Sequence, residues 1–120
     1  MRFLSFLVVP ALFVFSGLSY AGEADVTKVS VNSAGDGQWR FDVSVRHADT
    51  GWEHYADRWE VVGLDGNVLG TRVLAHPHVD EQPFTRSGVI AIPKGISSVS
   101  VRAHDLVHGY GGAEITVTLP

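Results

Sequence analysis

From Gln38 to Ala48 apolar and polar side chains alternate, with Trp39, Phe41, Val43 and Val45 on one parity and Arg40, Asp42, Ser44 and Arg46 on the other. A strand repeats every two residues, so this segment predicts a strand with one face in a core. His47 continues the inward parity. The same period recurs along the chain. Asp25–Ala34 sets Val29 and Val31 against Lys28 and Ser30, Asp57–Gly63 aligns Trp59 with Val61, and Asn67–Ala75 returns from it. Ser87–Pro93 aligns Ile90 with Ile92, Ser97–Asp105 aligns Val99, Val101 and Ala103, and Ala113–Leu119 aligns Ile115, Val117 and Leu119. Gly35-Asp36-Gly37, Leu64-Asp65-Gly66-Asn67 and Lys94-Gly95 are short turns, Asp-Gly suiting the positive φ of a hairpin. Seven alternating strands without a helical period predict an all-β, seven-stranded antiparallel β-sandwich.

The remaining connections are longer and carry the chemistry. In an up-and-down path, alternate connections lie at one end, which groups the loops after the second, fourth and sixth strands. His47 and His54 belong to the first of these, His76 and His78 to the second, and His104 and His108 to the third. All six histidines of the chain are thereby predicted at one end, and the opposite turns carry none.

Neutral imidazole binds borderline divalent metals, so this grouping predicts a metal site. In His76-Pro77-His78 the proline limits loop freedom, and an extended backbone would aim both rings alike. Asp49, Asp57, Asp80, Glu81 and Asp105 are candidates to orient the rings, since a ligating histidine commonly gives its other N–H to a carboxylate. No HExxH-type spacing is present. Met1 is the sole methionine and cysteine is absent, so the expected metal is one that accepts imidazole and carboxylate, Cu(II) or Zn(II), with Ni(II) also admissible. No nucleophile elbow or base signature points to an enzyme.

Several residues admit a second reading. His47 can be a buried histidine bonded to a carbonyl, and His54 can join Trp52 and Tyr55 in an aromatic patch. His104 shares its parity with Ser100 and Arg102 and can be solvent-exposed. Asp105, inward at a strand end, is read as capping loop amides or orienting a histidine. Phe84 is read as packing its loop down, and Arg86 as pairing with Glu81 or Asp80, or as binding an anion. The alternative function is metal-independent binding of a protein or ligand through Trp52, Tyr55, Phe84 and Tyr110.

The first 21 residues change the picture of the mature protein. Arg2, the apolar run Phe3–Gly17 and Ser19-Tyr20-Ala21 predict a cleaved Sec-type signal peptide over residues 1–21, leaving one domain over residues 22–120. Loss of Arg2 with the leader takes the net charge from −4 to −5. That field excludes nucleic acid and anionic lipid as electrostatically favoured partners. Without cysteine, neither a lipid anchor nor a disulfide is expected. The expected location is the periplasm or the extracellular space. The expected partners are a periplasmic protein and no membrane after cleavage, with the chain monomeric or weakly self-associating.

The strand pattern, with Trp59 on the third strand, resembles the immunoglobulin-like sandwich, although the paired cysteines and tyrosine corner of that fold are missing. The segment Glu81-Gln82-Pro83-Phe84-Thr85-Arg86-Ser87 is similar to short exported bacterial proteins of unassigned function. Neither resemblance implies an activity.

Overall fold

The computed structural model describes residues 22–120, and the predicted signal peptide lies outside the described residues. Among the described residues seven strands follow one another without a helix: β1 (Asp25–Gly35), β2 (Gln38–Arg46), β3 (Ala56–Gly63), β4 (Val68–Val73), β5 (Phe84–Ala91), β6 (Ser98–Asp105) and β7 (Ile115–Thr118). They form two antiparallel sheets, ordered β1-β2-β5 and β4-β3-β6-β7.

The inward parity of each strand fills one shared core. Phe41, Val43 and Val45 of β2 face Trp59 and Val61 of β3 and Val99 and Val101 of β6, all fully buried. The Phe41 and Trp59 rings lie 6.4 Å apart, inclined at 50°. Gly88, opposite Phe41 in the β2–β5 register, makes room for the indole: a Cβ there would lie 3.1 Å from Trp59 Cη2. Burial of aromatic side chains on this scale contributes several kcal/mol each to folding, about 1.5–3 kcal/mol for a Phe-sized group.

Two differences from the sequence pattern have local causes. In β1 the register shifts between Val26 and Lys28, a bulge that turns both Val26 and Val29 inward although they are three positions apart. β5 begins at Phe84, within the stretch read from the sequence as loop, because Phe84 pairs with Val45 and Thr85 with Ser44. Thr85 and Ser87 face outward, where the Ser44 and Thr85 hydroxyls meet at 2.7 Å and the Ser87 hydroxyl donates to Asp42, whereas Arg86 shares the parity of Phe84 and lies 5.7 Å over its ring.

At one end the connections are tight. Gly63 N–H donates to the Asn67 carbonyl (2.8 Å) across the β3–β4 turn, where Gly66 takes φ +95°. At the other end the three long connections interlock. Leu106 N–H donates to the Tyr55 carbonyl, His47 N–H to Gln82 Oε1, and His78 N–H to Asp49 Oδ2. The N-terminal segment joins them, with Val26 N–H donating to the Ala113 carbonyl.

Candidate metal centre

His47 follows β2 on its inward parity, so its ring enters the end of the core and its side chain is 0% exposed. Its Nδ1 lies 2.5 Å from Oδ1 of Asp49, whose side chain is also 0% exposed. Asp49 accepts two further hydrogen bonds, from Ala56 N–H (3.0 Å) and His78 N–H (2.7 Å). A carboxylate so held can only accept, so Nδ1 donates to it, and in the neutral ring Nε2 presents a lone pair on the far side.

A second buried carboxylate waits there. Asp105 is the last residue of β6 and continues the inward parity of Val101 and Ala103. Its Oδ1 accepts from the amides of Val107 (2.9 Å) and His108 (2.7 Å), which turns the chain out of the strand. Burial alone would raise the Asp105 carboxyl. The His108 and Val107 amides, the charge of His47 and the His108 ring outweigh burial and hold it below the ordinary carboxylate value. Its Oδ2 is buried with no hydrogen-bond partner.

His54 comes from the β2–β3 connection, where Gly51 and His54 form a small bridge that folds the loop back. Its Nε2 is 3.2 Å from His47 Nε2 and 3.2 Å from Asp105 Oδ1. His47 Nε2 is 3.9 Å from Asp105 Oδ2 and 2.8 Å from the Gly22 carbonyl oxygen. The His108 ring closes the group, with Nδ1 3.3 Å from Asp105 Oδ1 and its centroid 5.0 Å from that of His54.

With neutral rings, the single N–H on His54 Nε2 cannot satisfy the His47 lone pair, the Gly22 carbonyl and Asp105 Oδ2 together. A cation at their centre can, either a further proton or a divalent metal ion. Zinc–ligand bonds of about 2.0–2.1 Å in tetrahedral geometry put neighbouring ligand atoms about 3.3 Å apart. The 3.2 Å edges from His54 Nε2 to His47 Nε2 and to Asp105 Oδ1 match that spacing, and the 3.9 Å from His47 Nε2 to Asp105 Oδ2 is longer than it. His47, His54 and Asp105 are thus a group that can hold a metal ion, with ligand atoms mutually within 4.8 Å. Asp49 stands behind His47 as the carboxylate that fixes its tautomer and orientation.

The other predicted residues are distributed elsewhere. His78 is buried and stacked on Phe84, ring centroids 3.9 Å apart and planes 9° apart, with both ring nitrogens unpartnered. Burial, with the nearby charges of Arg86 and His76, lowers its pKa and so favours the neutral ring. His76 lies on the solvent side of His78 at 4.6 Å, and its Nδ1 meets its neighbour's carbonyl, that of Pro77, at 3.0 Å. The His-Pro-His segment therefore packs a loop onto the core and brings neither ring into the His47 group. His104, on the outward parity of β6, bonds Asp57 through Nδ1 at 2.6 Å and packs edge-on to Tyr110. The six histidines thus divide, and three gather around Asp105. Asp57 orients His104 and no candidate ligand.

Phe84 is 1% exposed, which corrects its assignment to a recognition patch: as the first residue of β5 it points into the core. Arg86 pairs with Glu81 at 3.2 Å, an exposed contact away from the group. Trp52 is 65% exposed and meets Tyr55 edge-on at 5.6 Å. Tyr110 folds back over the outer face of the four-stranded sheet, where its hydroxyl bonds both oxygens of Glu60 (3.1 and 3.0 Å) and Arg102 lies 4.0 Å over its ring.

From the sequence Asp105 reads as capping loop amides or orienting a histidine, and it does cap the Val107 and His108 amides, while nothing in the sequence points to Gly22. For Asp105 the signal existed: a carboxylate on an inward parity needs a cation or several donors. For Gly22 there was none, because its approach to His47 depends on how β1 enters the sheet.

No family model matches the chain, and no solved structure matches it significantly. Over 95 residues, 79% of its length, the chain is 46% identical to a protein of Halomicrobium mukohataei named "Putative lipoprotein". The chain spans about half, 47%, of that homologue.

Proposed function

We propose that this chain is an exported immunoglobulin-like β module that binds a divalent transition metal, Cu(II) or Zn(II), through His47, His54 and Asp105. The observation that carries the reading is the unpartnered, fully buried Asp105 Oδ2 facing the lone-pair side of His47. An imidazole and carboxylate set suits both metals, and neither Cys nor Met is needed. The sheet order supports the immunoglobulin-like assignment, and a homologue named "Putative lipoprotein" supports export. In this reading residues 1–21 are removed and residues 22–120 are one domain.

Calorimetric titration of the purified exported protein with Zn(II) and with Cu(II) tests the proposal. Binding at one ion per chain is expected, and it is abolished in His54→Ala and strongly weakened in Asp105→Asn. Absence of binding tighter than about 10 μM, a free energy of about −7 kcal/mol, would sink it.

The exposed Trp52 supports a second reading, in which the same end docks a protein partner. A partner retained without metal and lost in Trp52→Ala would favour it.

A further inference from the structure

We infer that Gly22 belongs to the metal site, and that removal of the leader converts its nitrogen into one of the ligands. The inference rests on the metal reading above.

The start of the mature chain is held in place rather than left free. Ala24 and Val26 are 1% and 2% exposed. Val26 N–H donates to the Ala113 carbonyl at 2.9 Å, and Ala113 N–H donates to Asp25 Oδ1 at 2.8 Å. Gly112 lies so close to the Ala24 carbonyl that no Cβ could fit between them. These contacts fix the backbone two residues beyond Gly22 and deliver its carbonyl oxygen to within 2.8 Å of His47 Nε2. That nitrogen also faces His54 Nε2 at 3.2 Å. The carbonyl is therefore among the atoms surrounding the point a metal would occupy.

Position 22 also admits little but glycine. Its φ is +111°, and a Cβ there would overlap the His108 ring. A residue without a side chain lets the backbone approach the histidines directly.

The predicted cleavage falls between Ala21 and Gly22. While the leader is attached, the Gly22 nitrogen is an amide whose lone pair is delocalised into the peptide and is a poor ligand. After cleavage it is a primary amine, separated from its own carbonyl oxygen only by Cα and the carbonyl carbon. A metal bound to both atoms closes a five-membered chelate ring. Because the oxygen is already at the site, the amine reaches the same ion by rotation about one bond. The complete ligand set then comprises His47, His54, Asp105 and the Gly22 terminus, and metal loading is coupled to export.

The test uses the full chain expressed in an exporting host, with the N-terminus of the product read by mass spectrometry. The processed protein is compared with the same protein acetylated at its α-amine, with Lys28 and Lys94 verified as unmodified. Zn(II) affinity is measured by calorimetry, and the equatorial nitrogen count of bound Cu(II) by electron paramagnetic resonance. We expect an N-terminus at Gly22. Acetylation should weaken Zn(II) binding by more than about tenfold, the least that even an outer-sphere partner is worth. It should also remove one nitrogen from the Cu(II) spectrum. A mature terminus at another residue, or unchanged affinity and spectrum after acetylation, overturns the inference. His54→Ala separates the two ideas. If it abolishes binding while acetylation has no effect, the metal reading stands and the part assigned to Gly22 falls. If processed wild-type protein binds no metal, both fall.

Discussion

Replacing Asp49 by asparagine tests the carboxylate behind His47 with little change in shape. In the native protein Oδ1 accepts from His47 Nδ1 and Ala56 N–H, and Oδ2 accepts from His78 N–H. The amide oxygen of asparagine can replace Oδ1 and keep two of these bonds. Its NH2 then faces the His78 amide, 2.7 Å from the native acceptor position, donor against donor. The flipped amide keeps the His78 bond and forfeits the other two. At least one buried donor is left unmatched, at about 1–3 kcal/mol, and the remaining bonds lose charge assistance. The expected total is about 2–4 kcal/mol, a large share of the roughly 5–15 kcal/mol available to a domain of this kind. Urea denaturation of metal-free protein should show that loss with an unchanged m-value. Zn(II) affinity should fall about 10–100-fold, because a neutral amide oxygen holds the His47 N–H without the charge that raises the ring's basicity, and the flipped amide no longer fixes its tautomer. A variant that is destabilised yet binds Zn(II) as tightly as wild type would refute the orienting function. One with undiminished stability would refute the hydrogen-bond geometry itself.

Three further substitutions probe other parts of the fold. His78 has a depressed pKa, so its contribution to stability is complete above the unfolded value near 6.5 and is lost as pH falls toward the folded value; His78→Phe should flatten that part of the acid limb in pH-dependent thermal melts. Glu60 is held below the ordinary range because hydrogen bonds from Arg58, Arg102 and Tyr110 outweigh its burial, and Tyr110→Phe removes one of those donors; stability should drop by about 1 kcal/mol above the unfolded Glu value near 4.3, and the difference from wild type should shrink as pH falls through the folded value. Gly88→Ala puts a Cβ 3.1 Å from Trp59 Cη2 and should cost about 1–3 kcal/mol by overpacking, read by denaturant unfolding.

The legibility of this chain follows from which features are local. Alternation along β2 and β6 is local, and Phe41, Val43, Val101 and Ala103 occupy the faces it predicts. The bulge in β1 breaks the period between Val26 and Val29, so only Val29 and Val31 signalled a strand face. The start of β5 was hidden because Thr85, Arg86 and Ser87 are polar, and their partners Ser44 and Asp42 lie more than forty residues away. Loop grouping was readable from strand order, but depth within the group was not. His76-Pro77-His78 has the densest chemistry in sequence, yet Phe84 captures the His78 ring as a flat packing surface. The less conspicuous His54 gains its place through a two-residue bridge and the fixed position of Asp105. Glu60 is on the outward parity, and its contacts with Arg58, Arg102 and the returning Tyr110 are not visible in the period.

The two carboxylates buried at this end, Asp49 and Asp105, have side chains 0% exposed, and they enclose His47 between them. Without a metal the site needs a proton to match the buried negative charge, and a buried charge without a full set of partners is costly. A divalent ion removes that deficit only in the folded protein, since the three ligands are brought together by β2, the following loop and the end of β6. Zn(II) should therefore stabilise by linkage, by about 2.7 kcal/mol at a free concentration one hundred times its dissociation constant. Over the described residues 22–120 this corresponds to a Tm higher by roughly 10–20 °C. Differential scanning calorimetry with and without Zn(II) reads the shift directly, and Mg(II), which prefers an octahedral oxygen shell, should give none. An equal shift in His54→Ala would mean that the ion stabilises the protein from some other place, and would remove His54 from the site.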